Sequence, residues 1–217
     1  MSDVETSARM RRLSSPAAVG LARLCEAFDD LQTVLRCCEL LVGALTQASG
    51  APGAEGPVGA DPVSLEAWWT TALLSYGRSF EPTGDPLRPP PLVPEDLETA
   101  VGSAEATTWH ELLLQLRNHH AHLRTNPREH VTVAVVQGDG GGAEGVAVTS
   151  RQEPAVDEAT VRRTGAVAYA LCALIDARIE QEQRRLWDGV DGMEAAALDG
   201  LEPLVVETNA TVTDPPS

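Results

Sequence analysis

The chain has 217 residues, 43% of them apolar, which is enough for one sizeable core and points to one domain with decorations rather than two. Its formal charge of -16 excludes broad, sequence-independent binding to DNA, RNA or anionic membrane, each of which needs a cationic face. All 16 basic residues are arginine, and alongside 18 Gly and 15 Pro this has the look of a coding bias rather than a functional choice.

The charge is unevenly spread. Residues 188–217 hold seven acids and no base, whereas the stretch from Trp109 to His130 sets Arg117, Arg124 and Arg128 against Glu111 and Glu129, a formal balance of +1. Cys25, Cys37, Cys38 and Cys172 lack the paired spacing of a zinc site or a secreted disulfide framework, and three of them fall at apolar helix positions. A reduced, cytoplasmic protein is the plain expectation. Met1 to Arg12 has no hydrophobic stretch behind its arginines, and no apolar run approaches the roughly 18 residues of a membrane span.

From Pro16 to Gln47, Leu21, Leu24, Phe28, Leu31, Leu35, Cys38, Leu41 and Leu45 recur at steps of three and four, the mark of one amphipathic helix face. The Gly/Pro/Ala-rich stretch that follows predicts a flexible connection over 49–61. Asp61-Pro62 is an N-cap with proline in the first turn and opens a second helix, with Leu65, Trp69, Ala72, Tyr76 and Phe80 along one face. After a proline-rich extended stretch, Pro94-Glu95-Asp96 starts a short helix that Gly102-Ser103 interrupts, and a longer helix runs from about Glu105 to His122. The turn Thr125-Asn126-Pro127 leads to a β-hairpin over 130–150, and a last helix spans about Val156 to Trp187, with Val161, Ala168, Leu171, Cys172, Ile175 and Ile179 inward.

The predicted fold is therefore all-α, a bundle of about four helices with a small β-hairpin inserted before the last one, in a single domain over 16–187. Residues 1–15 are expected to be flexible, and the acidic, Gly- and Pro-punctuated residues 188–217 to form a disordered tail in which Leu201 to Val206 pairs transiently.

All five histidines, His110, His119, His120, His122 and His130, lie within 21 residues. Histidine exchanges a proton near neutral pH and arginine neutralises phosphate with a planar fork of donors, so the pair suits phosphodiester chemistry without a metal. On an ideal helix Arg117 shares a face with His120, and His119 with His122, while Arg117 and His122 sit about 140° apart. A joint Arg117/His122 site thus needs the helix to end near His122, or a groove shared with a second chain. Asn126-Pro127 supplies a stop, because the residue before proline is pushed out of the helical region.

Arg117-Asn118-His119-His120-Ala121-His122 resembles the arginine, polar residue, short spacer and histidine motif of the HEPN superfamily, small helical bundles named for higher-eukaryote and prokaryote nucleotide binding. The four-residue spacer is within the family's range, Asn118 takes the usual polar position, and the Ala121-His122 ending is typical. Trp68-Trp69 followed by Ala72, Tyr76, Arg78 and Phe80 is similar to a Tyr-x-Arg-x-Phe helix of one bacterial branch, where Asn-Pro and a short strand also follow the motif. The resemblance spans roughly residues 62–187.

What the resemblance implies is a homodimer whose motif helices face each other across a composite cleft, which in active relatives cuts RNA without a metal. His122 would be the proton-transfer group, Arg117 would stabilise charge on the phosphoryl oxygens and Asn118 would orient them. His119, His120, Arg78 and Tyr76 form a second tier. The implied setting is bacterial defence or a toxin–antitoxin pair, with RNA as substrate and an antitoxin or nucleotidyltransferase-type protein as partner. No cofactor and no metal are expected.

The same residues support a second outcome, a non-catalytic homodimeric scaffold in which Arg117 and His122 cap helix ends or pair with acids such as Glu111. The triplet His119, His120 and His122 lacks a carboxylate or cysteine at ligand spacing. His110 and His130 are expected to be satisfied structural histidines, and Arg78 to pair with Glu81 or stack on an aromatic ring. Trp68, Trp69 and Trp109 are expected in the core, and the run Gly138 to Gly145, which lacks a following helix and a lysine, at a hairpin tip. The acidic tail is expected to be solvated and disordered, with an intramolecular nucleic-acid mimic over the Arg117 region as the alternative.

Overall fold

A computed structural model describes residues 10–49, 61–81, 90–122, 129–152 and 156–204. In chain order these form β1 (Met10–Arg11), α1 (Pro16–Ser49), α2 (Pro62–Arg78), α3 (Glu95–Val101), α4 (Ala104–Ala121), β2 (Glu129–Gln137), β3 (Ala143–Gln152), α5 (Glu158–Val190), α6 (Ala195–Asp199) and β4 (Pro203–Leu204). The all-α bundle with an inserted hairpin is the observed architecture. Of the predicted link at 49–61, Ser49 ends α1 and Asp61 precedes α2, while residues 50–60, most of the Glu81 to Pro91 stretch, the turn Thr125-Asn126-Pro127 and the residues after 204 lie outside the described residues.

The helices start where local chemistry sets them. Asp61 accepts hydrogen bonds from the amides of Val63 and Ser64 at 2.9 and 3.2 Å, Ser103 caps α4 through Glu105 N at 3.2 Å, and Asp157 caps α5 through Thr160 N at 2.7 Å. Gly102, at φ 68°, ends α3 in the left-handed conformation that glycine adopts without a β-carbon penalty.

The long helices α1 and α5 pack against each other, α2 lies on α1, and α4 lies on α2, while α3 bridges α4 and α5. The core gathers Ala27, Leu31, Val34, Cys38 and Leu41 from α1, Trp69, Leu73 and Tyr76 from α2, Leu113 from α4, and Val161, Ala168, Leu171 and Ile175 from α5. On α1 the most buried stripe runs through Ala27 and Val34, whereas the predicted Leu24, Phe28, Leu35 and Leu45 flank it half-buried. The reason is that α1 serves two neighbours, so its covered face is wider than one stripe. One ion pair ties α3 to α5: Arg178 donates two hydrogen bonds to the carboxylate of the buried Asp96, which also accepts from Val93 N at 2.9 Å.

Two boundary expectations need correction. The last helix continues to Val190, and within the segment expected to be a disordered tail lie α6 and β4. β4 pairs antiparallel with β1, Met10 opposite Leu204 and Arg11 opposite Pro203, so part of the predicted flexible N-terminus is also ordered. Charge explains the match: Arg11 reaches Asp199 at 3.0 Å and Leu201 O at 3.1 Å, and Arg12 approaches Glu202 at 3.7 Å. Tail acids Asp199 and Glu202 thus face these N-terminal arginines rather than Arg117.

The hairpin matches its predicted place, with β2 and β3 in antiparallel register from Glu129 opposite Gln152 to Val136 opposite Gly145 and an irregularity at Val136/Gln137. Of the described helices, none is long and apolar enough to cross a membrane.

Candidate functional site

The site is built on the last two turns of α4 and the C-terminal half of α2. Ala106, His110, Leu113, Arg117 and His120 recur at steps of three and four and form the face of α4 turned inward, the first three buried and the last two half-buried. Asn118, His119 and His122 are exposed. The motif is therefore divided between two faces of one helix end.

Arg117 lies across α2. Its side chain, 21% exposed, runs over Gly77 and donates from one terminal nitrogen to Glu81 Oε1 at 2.7 Å, while its Nε is buried without a hydrogen-bond partner. The partner is Glu81, not the nearby Glu111, because Arg117 points toward α2 and Glu111 is exposed. Glu81 is 52% exposed, and an ion pair this open to water stabilises by about 0.2–1 kcal/mol.

His120 shares that face, its Nδ1 3.1 Å from the Thr70 hydroxyl. Burial lowers its pKa from the ordinary histidine value, His119 lowers it further, and Glu66 opposes both. The His119 and His120 rings meet edge to face at 5.9 Å. His122 caps α4 with φ -77° and ψ 117°, so the helix stops at Ala121 and the histidine leaves it in extended backbone.

The second-tier residues of α2 separate. Tyr76 is buried, and its hydroxyl is hydrogen-bonded to His110 Nδ1 at 2.9 Å. The Phe80 ring closes over the same histidine at 4.4 Å. Burial raises the Tyr76 hydroxyl pKa and lowers that of His110, so both neutral forms are favoured and the pair fastens α2 to α4. Arg78 points the other way, onto α1, where it grips Asp30 through two nitrogens and donates to Ser75 Oγ at 3.0 Å. The expected partner Glu81 is taken by Arg117. Arg78 nevertheless lines a groove of about 270 Å³ with Arg23, Glu26, Asp30, Glu81 and Pro91, and Glu81 connects that groove to Arg117. His122 does not line it.

His130 stands on the hairpin opposite Arg151. Trp69 is in the core, Trp68 and Trp109 pack half-buried against it, and Arg163 stacks over the Trp109 ring at 4.4 Å. Among the described residues, no group of three or more His, Cys, Asp or Glu side chains is placed to hold a metal ion.

The arrangement offers a guanidinium held by a weak ion pair and an exposed imidazole at one helix terminus. Comparison with known proteins gave no match to a family model, a curated protein or a solved structure. The site therefore rests on its own geometry. Gly77 and Thr70 were not singled out from sequence, and Glu81 was named only as a partner for Arg78; of the first two, only Gly77, a glycine inside a core helix between Tyr76 and Arg78, carried a signal, that of a close approach by a neighbour.

Proposed function

We propose that the protein is a HEPN-like endoribonuclease that needs no metal and works at the C-terminal end of α4, paired with the same end of a second copy. Support comes from one observation above all: α4 stops at Ala121 and His122 departs in extended backbone. Arg117 and His122 stay on different faces of that helix end, so in the proposed pair it is the second copy that completes the cleft which the exposed His122 enters.

In the proposed reaction the ribose 2′-oxygen attacks the adjacent phosphorus and the bond to the 5′-oxygen breaks, leaving a 2′,3′-cyclic phosphate and a 5′-hydroxyl. The 2′-hydroxyl gives up its proton and the leaving 5′-oxygen takes one up, His122 making one of these transfers and solvent water the other, while Arg117 exchanges Glu81 for the non-bridging phosphoryl oxygens. The Glu81 pair is weak enough for a phosphate to displace it. Exposed Asn118 and His119 orient the substrate. A bacterial defence or toxin–antitoxin setting, with an antitoxin or nucleotidyltransferase-type partner, belongs to the same proposal.

A second reading is favoured by the Arg117–Glu81 contact itself. There Arg117 and His120 serve only to fasten α4 to α2, and the protein is a non-catalytic homodimeric scaffold. Purified full-length protein incubated with mixed RNA in EDTA separates the two. The nuclease should yield 2′,3′-cyclic phosphate ends, with Arg117→Ala and His122→Ala each slower by about a hundredfold or more. Intact RNA at high wild-type concentration, or variants that cut as fast as wild type, would exclude it.

A further inference from the structure

The hairpin presents an apolar face that no other element covers among the described residues. Strand register places Val131, Val133 and Val135 of β2 on the same face as Val146 and Val148 of β3, with Val133 opposite Val148 and Val135 opposite Val146. These five valines are between 55 and 72% exposed. The reverse face, with His130, Thr132, Ala134, Ala147, Thr149 and Arg151, is polar or small apart from Val136 near the tip. A two-stranded ribbon of nine and ten residues is marginal in water unless a third strand, a helix or a second layer covers its apolar side.

We infer that a second copy of this chain covers the valine face, the two hairpins stacking face to face as a four-stranded, two-layer sandwich. Three observations select this occupant. The five valines expose an area of about 500 Å² per chain, so a pair buries up to about 1,000 Å², which reaches the lower bound of a specific interface. The centre of the face is made of one kind of β-branched side chain, Val133 and Val135 opposite Val148 and Val146, which can pack on its own copy under a two-fold axis. Its central part carries no charge: Glu129 sits at the base, bonded to Ser150, and Glu144 folds against Gly138 at the tip. Two chains of formal charge -16 can meet here without bringing like charges into contact.

This contact is separate from the α4 pairing of the nuclease proposal, and its test does not depend on RNA cleavage. Light scattering during size exclusion should be run on the full chain at micromolar concentration, with Val133→Glu/Val148→Glu, with Val133→Thr/Val148→Thr, which keeps β propensity, and with Ala134→Glu on the reverse face. Both valine variants should show half the wild-type mass with an unchanged helical circular dichroism signal, and Ala134→Glu should keep the wild-type mass. A monomeric wild type would overturn the inference and leave the valines to the chain's own residues 205–217 or to another protein. So would valine variants that keep the wild-type mass, which would assign the assembly to α4 or another surface.

Discussion

Gly77 makes room for Arg117: a β-carbon at position 77 would stand 3.2 Å from Arg117 Nε, 3.3 Å from its Cγ and 3.4 Å from its Cδ. The absence of a side chain on α2 is what lets the arginine lie flat against that helix and reach Glu81. In Gly77→Ala, Arg117 must shift by a few tenths of an ångström, and its flexible stem allows this. The helix gains about 0.5–1 kcal/mol from alanine, so net stability should stay near wild type. Gly77→Leu should expel Arg117, break its contact with Glu81 and cost about 1–3 kcal/mol. Urea denaturation reads both, and a Gly77→Leu midpoint equal to wild type would contradict the close packing.

The His110–Tyr76 pair makes stability depend on pH. Burial is the main reason that His110 binds its proton less readily when folded than its ordinary pKa of 6.5 implies, with Glu111 acting in the opposite direction. The unfolded chain then takes up the proton first as pH falls. The stabilisation is complete above about pH 6.5 and is lost progressively below it, until the folded histidine also protonates. His120 is lowered too and adds to the same slope. Melting temperature should therefore drop between about pH 7.5 and 5.5, and less so in His110→Phe. Tyr76→Phe, which leaves the buried Nδ1 unpaired, should cost about 1–3 kcal/mol at pH 7.5. A flat wild-type profile across that range would argue against a neutral buried histidine.

Asp96 joins α3 to α5. Burial alone would raise its pKa, but the hydrogen bonds from Arg178, the amide of Val93 and the Arg178 charge outweigh that and hold the carboxyl below its ordinary range. Asp96→Asn keeps the shape while removing the charge, leaving half-buried Arg178 without its counter-ion. It should destabilise by about 2 kcal/mol, with Asp96→Ala worse because the Val93 amide also loses its acceptor. If both variants unfold at the wild-type denaturant concentration, the pair contributes nothing to the fold.

What was legible in the sequence follows from how far each interaction reaches along the chain. The caps at Asp61 and Ser103, the stop at Gly102 and the apolar repeat of α5 are local, so they could be read directly. The helix end at His122 was readable from Asn126-Pro127 for the same reason. The partners Glu81 for Arg117, Asp30 for Arg78 and Thr70 for His120 lie 36, 48 and 50 residues away, and helical periodicity carries no information about which acid or hydroxyl a neighbouring helix presents. The pairing of residues 10–11 with 203–204 was hidden in the same way. Composition described each segment as solvated, and only together do the arginines of one and the acids of the other make a contact.

That pairing has a mechanical meaning. Met10 and Leu204 stand opposite each other at the same end of the short ladder, from which the rest of the chain departs on either side. A pull applied to the two ends of the polypeptide would load this ladder as a zipper, one rung after the other, rather than in shear. The strands should part at low force, and only then would tension reach the long antiparallel seam between α1 and α5. Single-molecule stretching of the full chain would register this as a small first extension ahead of the main rupture.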